Sequence, residues 1–207
     1  MSDVLERVHR FRQSNNWIFG YMLFSSLVSL TASFVLSVDA LILAANPNAD
    51  LACNINTVIS CGKVGATWQA NLLGFPNAFL GLIAEPVVIT IAVASLGKVK
   101  FPRWFMFSAQ IVYTIGLVFA YWLFFQSMFY IHALCPWCLL VTLSTTLVFT
   151  SLTHVNIRDG NLFLPEKVNS SLQSGLRMGV DVLIVTLWLL IVTASVFLKY
   201  GAAVFGS

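Results

Sequence analysis

The sequence predicts an all-α integral membrane protein with five transmembrane helices, and three observations lead there. The 207 residues are 58% hydrophobic and 9% charged, with a mean hydropathy of +0.87. A soluble domain of this size needs far more charge to wet its surface. Five apolar runs, 17–44, 76–97, 104–126, 133–154 and 178–199, are each long enough to cross roughly 30 Å of hydrocarbon as a helix. The basic residues, finally, segregate to one side once five spans are counted.

The elements follow in chain order. Residues 1–16 form a basic N-terminal segment, and "DVLERVHRFRQS" reads as a plain anchor in preference to a short interfacial helix. The apolar stretch after it is too long for a cleaved signal and lacks a small-residue cleavage site. Residues 17–155 hold the first four apolar runs. The first run is interrupted near the end by Asp39, which either marks the lipid–water boundary or accepts protons from thiols. A polar loop, 46–75, carries Cys53 and Cys61. The second run holds Glu85, an acid at a depth where charge is costly; it reads as protonated or bonded to a neighbouring helix, and no role is assigned to it. The third and fourth runs are joined by "QSMFYIHAL", which predicts a tight antiparallel hairpin. Residues 156–177 read as a loop, and 178–207 as the fifth helix and its outer end, with Asp181 a favourable acid at the helix N-terminus. Trp104, Trp122 and Trp188 read as belt or packing residues. No inverted repeat or Gly/Pro-broken helix pair suggests a transporter.

Arg7, Arg10, Arg12, Lys98, Lys100, Arg103, Arg158, Lys167 and Arg177 fall on one side of a five-span chain, leaving Lys63 and Lys199 on the other. The positive-inside rule then places the N-terminus in the cytoplasm and the C-terminus outside. The same rule explains the net charge of +3 without nucleic acid. His9 and His154 fall on the cytoplasmic side. Cys53, Cys61, Cys135 and Cys138 all fall outside, where disulfides persist.

Four cysteines allow three connectivities, and the spacing does not select one. Two structural staples, a four-cysteine zinc site and a thiol relay are the competing readings. Zinc knuckles favour two C-x2-C pairs, and Cys53/Cys61 are too far apart for one. His132 reads as an interfacial residue rather than a ligand. Three features favour the relay. A C-x-x-C disulfide closes a small ring that exchanges readily. Pro136 fits the first turn of a helix, making Cys135 its N-cap and putting Cys138 in that turn. Unpaired N–H groups there favour thiolate over thiol. Thiols at the membrane boundary can also meet both a water-borne protein and a cofactor dissolved in lipid, such as a quinone.

The pattern "DLACNINTVISC", then "GFPNAFLG", then "CPWC" at a helix mouth resembles the vitamin K epoxide reductase family, in particular its bacterial disulfide-forming members. The likeness covers about residues 20–150. It implies a four-helix bundle around a quinone pocket with a peripheral fifth helix, in a bacterial inner (plasma) membrane. By that likeness Cys53 exchanges with a reduced partner, Cys61 passes electrons to Cys135, and Cys138 lies next to the quinone, menaquinone or ubiquinone. No step needs a metal. Dipole reasoning instead makes Cys135 the more acidic thiol, and the family's order of roles is followed. Asn77, Leu80, Trp137 and Thr142 are expected at the quinone. Asn77 either donates a hydrogen bond to a quinone carbonyl or serves the helix start. Thr142 stands where animal members carry a tyrosine, leaving that wall more open and activity on the epoxide in question. Some bacterial members carry a thioredoxin-like domain after the fifth helix. This chain stops at Ser207, so the expected partner is a separate thioredoxin-fold (DsbA-like) extracytoplasmic protein. The reading is a thiol–quinone oxidoreductase working in the oxidising direction. Its rivals are a quinone or quinone-epoxide reductase and a non-catalytic scaffold with two structural disulfides.

Overall fold

The computed structural model describes residues 11–205, with side chains to residue 201. Arg7, His9 and Arg10 lie outside the described residues, as does most of the segment read as a basic anchor. The chain forms α1 (Asn15–Ala45), α2 (Cys61–Gly65), a 3₁₀ turn (Trp68–Asn71), α3 (Ala78–Leu96), α4 (Arg103–Gln126) with a π turn at its end (Ser127–Ile131), α5 (Pro136–Arg158), α6 (Glu166–Met178) and α7 (Val180–Phe205). Among the described residues there is no β-strand, and α1, α3, α4 with its π turn, α5 and α7 are long and apolar enough to span a membrane. This is an all-α membrane protein.

Local chemistry sets the helix ends. Ser14 caps α1, its Oγ accepting from the Trp17 N–H at 3.3 Å. Pro102 and Pro165 stand just before α4 and α6, and Pro136 opens α5. The α4–α5 hairpin turns through His132, whose backbone is left-handed (φ 54°), and the Ser127 hydroxyl donates to the Ala133 carbonyl to close it.

The helices pack with α1 against α3 and α5, and α5 against α4. At the N-terminal end of α1 the interior is solid: Ile18, Phe19 and Met22 meet Val88, Ile91 and Ala92 of α3, Met106 and Tyr113 of α4, and Val148 and Leu152 of α5. Asn156, fully buried, donates to the Met106 carbonyl and Gln110 Oε1 at 3.1 and 3.0 Å, locking α5 to α4 there. Helix α1 carries the buried serines Ser25, Ser26, Ser29 and Ser33, and of these Ser29 and Ser33 meet α3 at Glu85 and Gly81. Small side chains let helix backbones approach closely where lipid offers no hydrophobic drive. The closest approach is Gly81 against Ser33, where even a methyl group would collide with the serine side chain. Gly81→Val should therefore push α3 off α1 and cost about 2 kcal/mol, read as a lower melting temperature in detergent; an unchanged melt would show that the seam can relax.

Helix α7 is peripheral, and most of its length is exposed for lipid to cover. It is tied at both ends. Asp181 pairs with Arg12 at 3.2 Å and with His154 Nδ1 at 2.7 Å. At the other end the Tyr200 hydroxyl donates to the Met128 carbonyl at 2.7 Å, and Lys199 sits 4.0 Å over the Phe129 ring. Asp181 thus joins Arg12 and His154 rather than serving only as a helix-end acid, and His154 is a structural partner.

One expectation changes here. Residues 156–177 are not all loop: α5 runs on to Arg158, and Glu166–Met178 is a helix. Its residues are mostly polar, so hydropathy missed it. Its apolar positions, Val168, Leu172 and Leu176, recur every fourth residue, the spacing of a helix lying flat on a surface.

Candidate redox site

The site lies at the end of the bundle opposite Arg12 and begins with Cys135. As N-cap of α5 its Sγ accepts the Cys138 backbone N–H at 3.3 Å, the arrangement the Cys-Pro-Trp-Cys spacing predicts. The Cys135 thiol is held below its ordinary pKa, first by hydrogen bonding with the Cys138 side chain. The backbone N–H groups of Cys138 and Trp137 add to this, against the opposing effects of burial and the Asp39 carboxylate.

Loop 46–75 folds down onto this cap. A single parallel bridge joins Ile59 to Leu134: Leu134 N donates to Val58 O at 2.7 Å and Ser60 N to Leu134 O at 3.0 Å. The next residue on each side of this bridge is a cysteine or leads to one. Ser60 then caps α2, accepting from Lys63 N at 3.1 Å, and Cys61 opens that helix. Asn54 clamps the loop from below, its Oδ1 accepting from both the Ser60 hydroxyl and Gly62 N at 2.9 Å. Asn56 Oδ1 accepts from the Val58 and Ile59 N–H groups, making the turn before the bridge.

The result is a linear array of sulfurs. Cys53 and Cys61 are joined as a disulfide, while Cys135 and Cys138 are free thiols. Cys135 Sγ lies 3.4 Å from Cys61 Sγ, and both residues are buried. Asp39 Oδ2 lies 3.7 Å from Cys53 Sγ, a contact while Cys53 is oxidised and a hydrogen bond once it carries a proton. The ligand atoms of Asp39, Cys53 and Cys61 cluster within 4.8 Å, but the two sulfurs are bonded to each other and have no thiolate to offer a metal.

Beneath the sulfurs is a cavity of about 230 Å³ walled by α1, α3, α4 and α5, with the cysteine loop as its roof. Cys61, Cys135 and Cys138 all border it, as do Asn77, Leu80 and Thr142. Trp137 does not. It packs instead against the cluster of Leu51, Cys53, Cys61 and Cys135, because one residue along α5 turns a side chain about 100° away from the direction of Cys138. Asn77 is fixed differently from either earlier reading. It stands at the N-cap of α3 without capping it through its side chain; its Nδ2 donates to the Gln69 carbonyl at 2.6 Å. That leaves its buried Oδ1 without a partner. Thr142 returns its hydroxyl to the Cys138 carbonyl at 3.0 Å, so it contributes shape rather than a donor. His132 is exposed and turned toward the Tyr130 carbonyl, away from the sulfurs.

The match of a family model for the vitamin K epoxide reductase family to residues 21–153 covers all four cysteines and every wall of the cavity. The chain belongs to that family. No curated protein matches it. Membership makes the chain a multi-pass membrane oxidoreductase of thiols and quinones, in a family that generally works with thioredoxin-like partners. Sequence reasoning had no signal for Asn54 or for the Ile59–Leu134 bridge, which bring the loop pair to the helix pair.

Proposed function

We propose that this vitamin K epoxide reductase family member reoxidises a separate extracytoplasmic thioredoxin-fold dithiol protein and passes the electrons to membrane menaquinone or ubiquinone. The 3.4 Å approach of Cys135 to Cys61, across the boundary between the disulfide and the dithiol, carries this reading. The positive-inside rule supports a cytoplasmic N-terminus in a bacterial plasma membrane, with the cysteine end outside.

Each transfer is thiolate attack on a disulfide. A partner thiolate attacks Cys53, forming a mixed disulfide and releasing Cys61 as thiolate. The partner's second thiolate attacks its own sulfur in that bond, leaving as a disulfide and freeing Cys53. Cys61 then attacks Cys135 of an oxidised Cys135–Cys138 pair and releases Cys138. Attack by Cys53 on Cys61 restores the loop disulfide and frees Cys135. An oxidised loop pair above a reduced helix pair is the state reached at this point. The depressed Cys135 pKa eases the loss of its proton when the helix pair is next oxidised. Asp39 is placed to take the proton that Cys53 loses.

A quinone fits the cavity: its walls are apolar, and the buried Asn77 Oδ1 lacks a partner that the hydroxyl of the reduced quinol would supply. Asn77 and Leu80 on α3 and Cys138 and Thr142 on α5 would hold the ring. Bound there, it accepts the two electrons and two protons released when Cys135 and Cys138 form their disulfide.

The deciding experiment is alkylation of all four cysteines in purified protein, with a reduced thioredoxin-fold protein present, before and after adding ubiquinone-1. A relay should shift Cys135 and Cys138 from alkylated to protected on adding quinone, and oxidise the partner. Cysteines that stay as they were in both conditions would leave only structural disulfides.

A further inference from the structure

A second buried polar atom without a partner belongs to a residue that lines the cavity. Glu85, in the middle of α3, is 3% exposed. Its Oε1 accepts from the Ser29 hydroxyl of α1 at 2.8 Å and the Tyr113 hydroxyl of α4 at 2.9 Å. Its Oε2 is buried with no hydrogen-bond partner, and Glu85 and Tyr113 both line the cavity. A helix tie alone accounts for Oε1 and leaves Oε2 unexplained. An unpartnered buried carboxyl oxygen costs free energy, and an acid at this depth is a functional feature by default. Among the described residues no cation pairs with it; its two neighbours are hydroxyls, which donate to one oxygen and leave the other free. That pattern suits a neutral carboxylic acid whose O–H points into the cavity.

Asn77 and Glu85 are eight residues apart on α3, about 12 Å along the helix axis at 1.5 Å per residue. Their stranded atoms therefore belong to opposite ends of one cavity, the first under the cysteine loop and the second deep in the bundle. A ring with oxygens at two opposite edges is the ligand that two such ends suit.

We propose that Glu85 is a catalytic residue of the quinone step: its Oε2–H binds the deeper ring oxygen and gives it a proton as the electrons arrive. This rests on the reading of the cavity as the quinone site. The balance is simple. Cys135 and Cys138 lose two electrons and two thiol protons on forming their disulfide, and quinone gains two of each on becoming quinol. One proton reaches the deeper oxygen from Glu85, and a proton released at the thiols returns Glu85 to the acid, so the carboxyl is unchanged over a turnover. Ser29 and Tyr113 hold the carboxyl in place through Oε1, leaving Oε2 free for the ring oxygen.

The test uses purified full-length protein with all four cysteines reduced, mixed with ubiquinone-1, following quinol formation in one turnover. Glu85→Gln keeps an oxygen for Ser29 and Tyr113 but carries no acidic proton. It should slow quinol formation about 100-fold while melting temperature and thiol exchange with a thioredoxin-fold protein stay as in the unaltered protein. A normal rate in Glu85→Gln overturns the proposal and leaves the carboxyl as a helix tie. A second readout covers a variant that does not fold. In unaltered protein, adding ubiquinone-1 should shift the infrared C=O stretch of a buried carboxylic acid; no shift overturns the proposal regardless of any variant. If unaltered protein forms no quinol at all, the cavity reading fails instead, and the two failures are told apart.

Discussion

Cys138→Ala should stop quinone reduction, with the rate falling by a factor on the order of 10³, while leaving the outer half of the relay intact. Cys138 borders the cavity and its backbone N–H caps Cys135. Alanine keeps that N–H and the helix start, so the fold is not at risk. What is lost is the second sulfur. Two electrons leave a thiol pair together only by making a disulfide, and Cys135 alone has no adjacent sulfur except Cys61. The variant should therefore oxidise one equivalent of a reduced thioredoxin-fold protein per chain and then stop. Continued turnover with quinone would remove Cys138 from the path. A pH signature accompanies the change. The Cys138 side chain is the largest influence lowering the Cys135 pKa, so removing it moves that pKa up. The pH midpoint for alkylation of Cys135 should rise relative to unaltered protein.

How much of this was legible in the sequence depends on the distance over which each feature is determined. The five spans were readable because hydropathy is a local sum, and their ends fell within a few residues of the predicted runs. The Cys135 cap was readable because Pro136 restricts one turn. Helix α6 was missed because its polar residues hide a four-residue period. The site is a different matter. The Cys53–Cys61 disulfide belongs to one of three connectivities, and what sets it above Cys135 is the fold of the loop through Asn54 and the Ile59–Leu134 bridge, contacts whose partners lie 6 to 75 residues apart. Trp137 was read into the cavity from its place between two cysteines, yet in the first turn of α5 it meets the loop above. Asn77 was expected to offer a donor, but the Gln69 carbonyl takes it, and the atom left without a partner is its oxygen. Glu85 was visible as an anomaly; only the packed bundle shows which of its oxygens is occupied.

The loop pair offers the other large effect. Cys53 contacts Asp39 and does not border the cavity, while Cys61 faces Cys135 and does. A partner that exchanges at Cys53 should be trapped there when Cys61 is replaced by Ser. The trap needs an oxidised entry route, since two free thiols do not join without losing electrons. A single-cysteine thioredoxin-fold protein activated as its mixed disulfide with thionitrobenzoate supplies one: Cys53 thiolate attacks the protein's sulfur and thionitrobenzoate leaves, which absorbance reports. In Cys61→Ser the thiol that pairs with Cys53 in the loop disulfide is gone, and the mixed disulfide should persist through gel filtration. In fully reduced unaltered protein, Cys61 attacks Cys53 and expels the partner, so the adduct should be transient. Serine is close to cysteine in size and keeps the start of α2, so the loop stays on its bridge. The reciprocal Cys53→Ser chain is the control, because its remaining loop sulfur, Cys61, is 3% exposed and roofs the cavity. Equal trapping by Cys53→Ser would reverse the order of the two loop cysteines and put Cys61 at the partner's surface.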